Sequence, residues 1–162
     1  MPGANIFQEY VVQEKSPFDL EKLSEKFRRT HAGWSTPEAY LCILLNASIA
    51  DGTFDIEEAE SIKTLARRSR TLSALSPAEL AKINTVVSLR MGQNPNALQE
   101  ACATLPVDMC LPIFAHCVEI ILADGQLLST EAEFLDRLTK MLEINPEHAK
   151  RMLEALLLKA QY

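Results

Sequence analysis

The chain has 162 residues, 48% hydrophobic and 23% charged, enough to close one hydrophobic core and too few for two ordinary domains. Its 22 acidic side chains outnumber 16 basic ones, and the net charge of −6 is the wrong sign for a partner with a phosphate backbone, so no nucleic acid is expected. The most apolar stretch, 110–123, is broken by Pro112, His116 and Glu119, well short of the roughly 20 apolar residues a membrane helix needs.

Residues 1–16 contain Ile6, Phe7, Tyr10, Val11 and Val12 and read as an N-terminal arm. Gln8, Glu9, Gln13, Glu14 and Lys15 interrupt any apolar run of the length a secretory signal requires, so a cytoplasmic address is the expectation. A single helical domain then covers 17–162. Ser16-Pro17, Thr36-Pro37, Ser76-Pro77, Asn94-Pro95 and Asn145-Pro146 each pair a side-chain acceptor with a residue that lacks an amide hydrogen, which is how helices begin. Gly33, Gly52, Gly92 and Gly125 stand where apolar periodicity stops, at places suited to a left-handed closing residue. These marks predict helices over 17–31, 37–51, 56–69, 77–91, 95–104, 108–124, 130–143 and 146–160. Apolar residues recur at three and four rather than at two, so the expected fold is an all-α, single-domain bundle of about eight helices. Cys42, Cys102, Cys110 and Cys117 show no Cys-x-x-Cys pair and sit in apolar helical sequence, where they read as buried thiols.

The chain also repeats itself. Ile49-Ala50-Asp51-Gly52 matches Leu122-Ala123-Asp124-Gly125, and Glu58-Ala59-Glu60 matches Glu131-Ala132-Glu133, which makes 37–69 and 110–142 two related helical hairpins. Composition alone predicts only about 0.02 occurrences of Asp-Gly followed after five residues by Glu, and the chain contains two. Helix-ending glycines and helix-starting acids account for part of that pattern without any ligand. The faces argue for more. Asp51 follows Leu44 and Ala47 by seven and four, and Asp124 follows Cys117, Ile120 and Ile121 by seven, four and three. Glu58 precedes Ile62 and Leu65 by four and seven, and Glu131 precedes Phe134, Leu135 and Leu138 by three, four and seven. All four carboxylates thus share the inward helical face.

If the hairpins pack as partners, Asp51, Glu58, Asp124 and Glu131 converge, and two carboxylates about 5 Å apart repel by on the order of 3 kcal/mol at an effective dielectric near 20. A bound cation removes that conflict. Oxygen donors favour calcium, magnesium or manganese over zinc. Each Asp-Gly-x5-Glu run equals the second half of an EF-hand loop, but the first half is missing, since Ala47 and Ile49, or Ile120 and Leu122, stand where its first two ligands would be.

Ala50-Asp51-Gly52 through Glu58 and Ala123-Asp124-Gly125 through Glu131, in an acidic helical chain of this size, resemble the tellurite-resistance TerB family over roughly 37–160. The resemblance extends to the TerB-like domain of membrane-anchored J-proteins. It implies two related helical halves, no catalytic activity, a role in tellurite or general stress response, and a metal-binding cluster that falls here on Asp51, Glu58, Asp124 and Glu131. The family often carries a polar or acidic cap three after the glycine. Asp55 matches and becomes a further candidate ligand; Leu128 does not.

Lys63, Arg67, Arg68 and Arg70 form a basic patch that reads first as a complement to a helix C-terminus. His116 and Glu119 are in the reverse order for a di-iron motif and occur once, while His31 and His148 read as surface residues. No nucleophile elbow, phosphate loop, dinucleotide fingerprint or His-Glu-x-x-His helix is present. The leading expectation is a non-catalytic stress protein that binds a divalent cation through pooled carboxylates. The alternatives are a protein-interaction module in a stress-response complex, peripheral to the inner face of a membrane and lacking a metal site, and a metal-dependent hydrolase.

Overall fold

In the computed structural model, residues 33–51, 64, 66, 67 and 69–162 are described. The element that organises them is α1, Thr36–Ser48, whose Ala39, Tyr40, Leu41, Cys42, Ile43, Leu44 and Ala47 are all buried. A helix apolar on every side belongs inside a bundle, and α1 is packed accordingly. Its N-terminus is capped by Ser35, whose Oγ accepts the Glu38 N–H at 3.3 Å, with Pro37 in the first turn. The capping oxygen thus comes one residue before the Thr36 expected from the Thr-Pro pair, because Thr36 has already entered the helix.

Around α1 lie α2 (Arg70–Ser73), α3 (Pro77–Gln93), α4 (Ala97–Thr104) and α5 (Val107–Ile121). The small side chains of Ala97, Ala101 and Cys102 let α4 approach α1 closely, while α5 presents Cys110, Ile113, Phe114, Cys117, Val118, Ile120 and Ile121 to the core. Pro112 lies inside α5, where it removes one ladder hydrogen bond near the helix start. A 3-10 turn, Leu122–Asp124, extends α5 and hands over to α6 (Ser129–Met141), and α7 (Pro146–Ala160) packs back on α5 and on the turn. Ser76 and Asn145 act as the caps their Pro neighbours suggest, accepting from the Glu79 and Glu147 amides at 3.1 and 2.9 Å.

The described residues are helical with no strand among them, and they form seven α-helices. Segments 1–16 and 17–31 lie outside the described residues, as does most of 56–69, of which Thr64, Ala66 and Arg67 are helical. Two local readings change. Gly92 is not a stop: α3 runs through it to Gln93 and ends on extended Asn94. Asn94 does not start α4 either. Its Oδ1 accepts the Asn96 N–H at 2.9 Å in a tight turn, and the helix begins at Ala97. Gly33 and Gly125 do occupy the left-handed region, both at φ 81°. Among the described residues, no helix is long and apolar enough to cross a membrane.

Candidate carboxylate site

The second repeat has the predicted local order of helix, Asp-Gly stop, loop and acidic helix start. Asp124 closes the 3-10 turn, and Gly125 follows it with its N–H bonded to the Leu122 carbonyl at 2.9 Å. A Cβ at position 125 would meet nothing within 4 Å, so glycine is needed there for its positive φ and not for space. Leu128 takes the N-cap position of α6 but has no acceptor to offer, so the cap is made from the other side: Glu131 Oε1 accepts the Leu128 N–H at 2.8 Å.

Among the described members of the set Glu131 is the buried one, 6% exposed. Burial pushes its carboxyl above the usual carboxylate range, the charges of Asp124 and Asp51 push it further, and the Leu128 amide opposes them. Asp124 and Asp51 are thus each within electrostatic reach of Glu131. Their burial differs from the inward-facing expectation. Asp124 is exposed, and its Oδ1 accepts the Gln126 N–H at 3.1 Å. Asp51 is half-buried in the turn three residues beyond the end of α1. The helices stop before the aspartates, so neither side chain continues its apolar stripe. Glu58 and Asp55 lie outside the described residues. Among the described residues, no three His, Cys, Asp or Glu side chains are close enough together to hold a metal ion.

Two polar groupings escaped the sequence reading. The first surrounds Trp34, which is 2% exposed. Its indole Nε1 donates to Glu100 Oε2 at 3.0 Å, Asn94 Nδ2 donates to the same oxygen at 2.9 Å, and the Arg90 guanidinium lies 4.9 Å over the ring centroid. Arg90 Nη1 also donates to Glu38 Oε2 at 3.1 Å and to the Gly33 carbonyl at 3.0 Å. These donors hold the Glu100 carboxyl below the usual range. The chain's one tryptophan, between a glycine and a Ser-Thr-Pro helix start, is the sequence signal for this latch. The second grouping joins Tyr40 of α1 to His116 of α5, with the hydroxyl 3.0 Å from Nδ1. His116 is thus engaged by a phenol rather than by a di-iron arrangement.

All four cysteines are buried and free, as the apolar spacing suggests. Burial pushes the Cys42 and Cys102 thiols up to about 12 and raises Cys110 and Cys117 as well, so these groups stay protonated and unreactive. Arg67 and Arg70 of the basic patch are exposed, His148 is exposed, and Lys63, Arg68 and His31 lie outside the described residues. No family model, no curated protein and no solved structure matches the chain.

Proposed function

We propose that the chain is a non-catalytic, TerB-like stress or tellurite-resistance protein whose two hairpins pool Asp51, Glu58, Asp124 and Glu131 around a divalent cation, with Asp55 as an accessory group. The observation that carries this reading is Glu131: a nine-tenths-buried carboxylate, bonded through one oxygen to a backbone amide, with two further carboxylates pressing on its charge. Such an arrangement stores repulsion that a cation relieves. Hard oxygen donors suit calcium, magnesium or manganese better than zinc. In this reading the cation draws the carboxylates together, since the three described ones are not close enough to ligate it jointly as they stand. The pairing of two hairpin halves and the cytoplasmic, membrane-peripheral address belong to the same proposal.

Melting of the purified chain across calcium, magnesium, manganese and zinc tests it. A cation present at one hundred times its Kd adds about 2.7 kcal/mol of stability, so one of the hard cations is expected to raise the Tm selectively. Asp124→Asn and Glu131→Gln are expected to lose that rise while melting no lower than the parent in metal-free buffer. A Tm indifferent to every cation, or variants that respond as the parent does, overturns the reading. A second reading rests on Ile49 and Leu128, which are 39% and 43% exposed and neighbour Asp51 and Glu131 in the chain. Apolar residues beside acids also suit a protein-interaction module in a stress-response complex, which would be indifferent to cations.

A further inference from the structure

Asp124 and Gly125 stand where α5 hands over to α6. The 3-10 turn Leu122–Asp124 ends there, closed by the bond from the Gly125 N–H to the Leu122 carbonyl at 2.9 Å. Asp124 is exposed, and its carboxyl is folded back onto the main chain, with Oδ1 accepting the Gln126 N–H at 3.1 Å. An aspartate oxygen that reaches the second amide ahead turns its carboxyl carbon to the side of the first. That first amide nitrogen belongs to Gly125.

A glycine in that place leaves its nitrogen open to reaction. Gly125 has no β-carbon to shield the nitrogen, one added there would meet nothing within 4 Å, and its φ of 81° is a conformation that glycine leaves at little cost. Asp108 and Asp136 are exposed as well, but they lie within α5 and α6 and precede Met109 and Arg137, whose side chains crowd the following nitrogen. Asp136 is also engaged by Lys140 Nζ at 3.0 Å.

We propose that Asp124 is a site of spontaneous isomerisation, at which the turn opens, the Gly125 nitrogen attacks the Asp124 carboxyl carbon, and the main chain re-forms through the side chain as isoaspartate. In the first step a C–N bond forms and a C–O bond of the carboxylic acid breaks. The oxygen keeps the electron pair of that bond and leaves as water with the acid's proton and the nitrogen's, closing a five-membered succinimide. In the second step water adds to the former main-chain carbonyl, the bond from that carbon to the nitrogen breaks, and the nitrogen regains a proton. One water is lost and one is regained, so no oxidant, reductant or co-reactant is needed.

The bond from Gly125 to Leu122 is the brake, because the nitrogen has to turn out of the 3-10 geometry before it attacks. The rate is therefore set by local opening of a three-residue turn and not by unfolding of the bundle. The product keeps its charge but not its geometry. The main chain gains one carbon between α5 and α6, and the carboxylate moves from the side chain onto the α-carbon. Asp124 is one of the two charges that act on buried Glu131, so isomerisation also changes the surroundings of that carboxyl.

Peptide mapping of the full chain, held at 37 °C and pH 6 in metal-free buffer, tests the proposal. Electron-transfer fragmentation reads the product, since it breaks the extra main-chain bond between Cα and Cβ of isoaspartate. Isoaspartate at 124 is expected to accumulate at least tenfold faster than at Asp108 or Asp136 in the same digest, and to carry one heavy oxygen when the water is enriched in oxygen-18. A synthetic peptide spanning 119–130 gives the rate without the fold. The chain should be slowed relative to that peptide by much less than its own folding equilibrium constant from urea titration, which is on the order of 10³–10⁸ for a small domain. Isoaspartate at 124 no faster than at 108 and 136 overturns the proposal. A chain slowed by the whole folding constant overturns it too, because the reaction then belongs to the unfolded state.

Discussion

Glu100 and Glu131 stand in the same kind of place, each in the first turn of a helix where the dipole favours a negative charge, yet their carboxyls are displaced in opposite directions. Glu100 receives the Trp34 indole and the Asn94 amide, with Arg90 alongside, and is held below the usual range. Glu131 receives one backbone amide, is buried, and faces Asp124 and Asp51. Among the described residues, no Lys or Arg is ion-paired with Glu131 or Asp124. Helix position does not decide the state of these acids; the donors brought from elsewhere in the chain do. At one end of the molecule the acids hold α1, α3 and α4 together, and at the other Glu131 feels the charges of Asp124 and Asp51 with one backbone amide as its donor.

The largest effect is expected where the donors are. Trp34→Ala removes a fully buried indole, the ring beneath Arg90 and a hydrogen bond to Glu100. A loss of about 3–5 kcal/mol in urea unfolding follows from the cavity alone. Trp34→Phe retains most of the volume and should lose much less, with the Glu100 carboxyl moving back toward its ordinary range. If Trp34→Ala unfolds within 1 kcal/mol of the parent, the latch is a surface contact and the contrast with Glu131 collapses.

The opposite sign is expected at the other end. Glu131→Gln keeps the oxygen that accepts the Leu128 N–H and removes the charge that Asp124 and Asp51 oppose. A carboxyl with a raised folded pKa contributes most stability below its unfolded value, near 4.3, and loses that contribution as pH rises through the folded value. The variant should therefore melt higher than the parent at pH 7, by roughly 2–4 °C or about 1 kcal/mol for a domain of this size, and the gap should close as pH falls to 4. A thermal scan at pH 4, 5, 6 and 7 measures it. A variant less stable at pH 7 would show that ionised Glu131 is satisfied, and the acids would then be caps.

The fold was legible because periodicity and capping are local. Pro37, Pro77 and Pro146 sit in the first turns of α1, α3 and α7, and Gly33 and Gly125 take the left-handed conformation expected of them. Gly92 misled for the same reason: a glycine tolerated in a helix interior looks in sequence like one that ends it. The repeat pointed to Glu131 as a carboxyl that feels Asp124 and Asp51, and the charges of both raise it, while Glu58 of the first hairpin lies outside the described residues. The exposure of Asp124 was not legible, because it depends on α5 tightening into a 3-10 turn, which swings the side chain off the apolar stripe. The Trp34–Glu100 and Tyr40–His116 bonds join residues 66 and 76 apart, and no spacing rule reaches across helices that pack only in three dimensions.

The smallest effect serves as the control for the contrast. Glu143 ends α6 in the left-handed region at φ 54°, with its N–H bonded to the Lys140 carbonyl at 3.1 Å and the Ile144 N–H bonded to the Thr139 carbonyl at 3.0 Å. That is the geometry of a glycine closing residue occupied by a glutamate. Glu143→Gly relieves the backbone strain but frees the unfolded chain, so a net gain of about 0.5 kcal/mol is expected. Glu143→Gln leaves the strain in place and removes one negative charge from an exposed site, so it should change stability by less than about 0.5 kcal/mol. It subtracts the same unit of charge that Glu131→Gln subtracts, from the other end of the same helix. If the two glutamine variants raise the Tm equally, the gain is general relief of a chain with net charge −6, and the local repulsion at Glu131 is not its source. If only Glu131→Gln gains, and the gain fades as pH falls to 4, the repulsion belongs to Glu131 with Asp124 and Asp51.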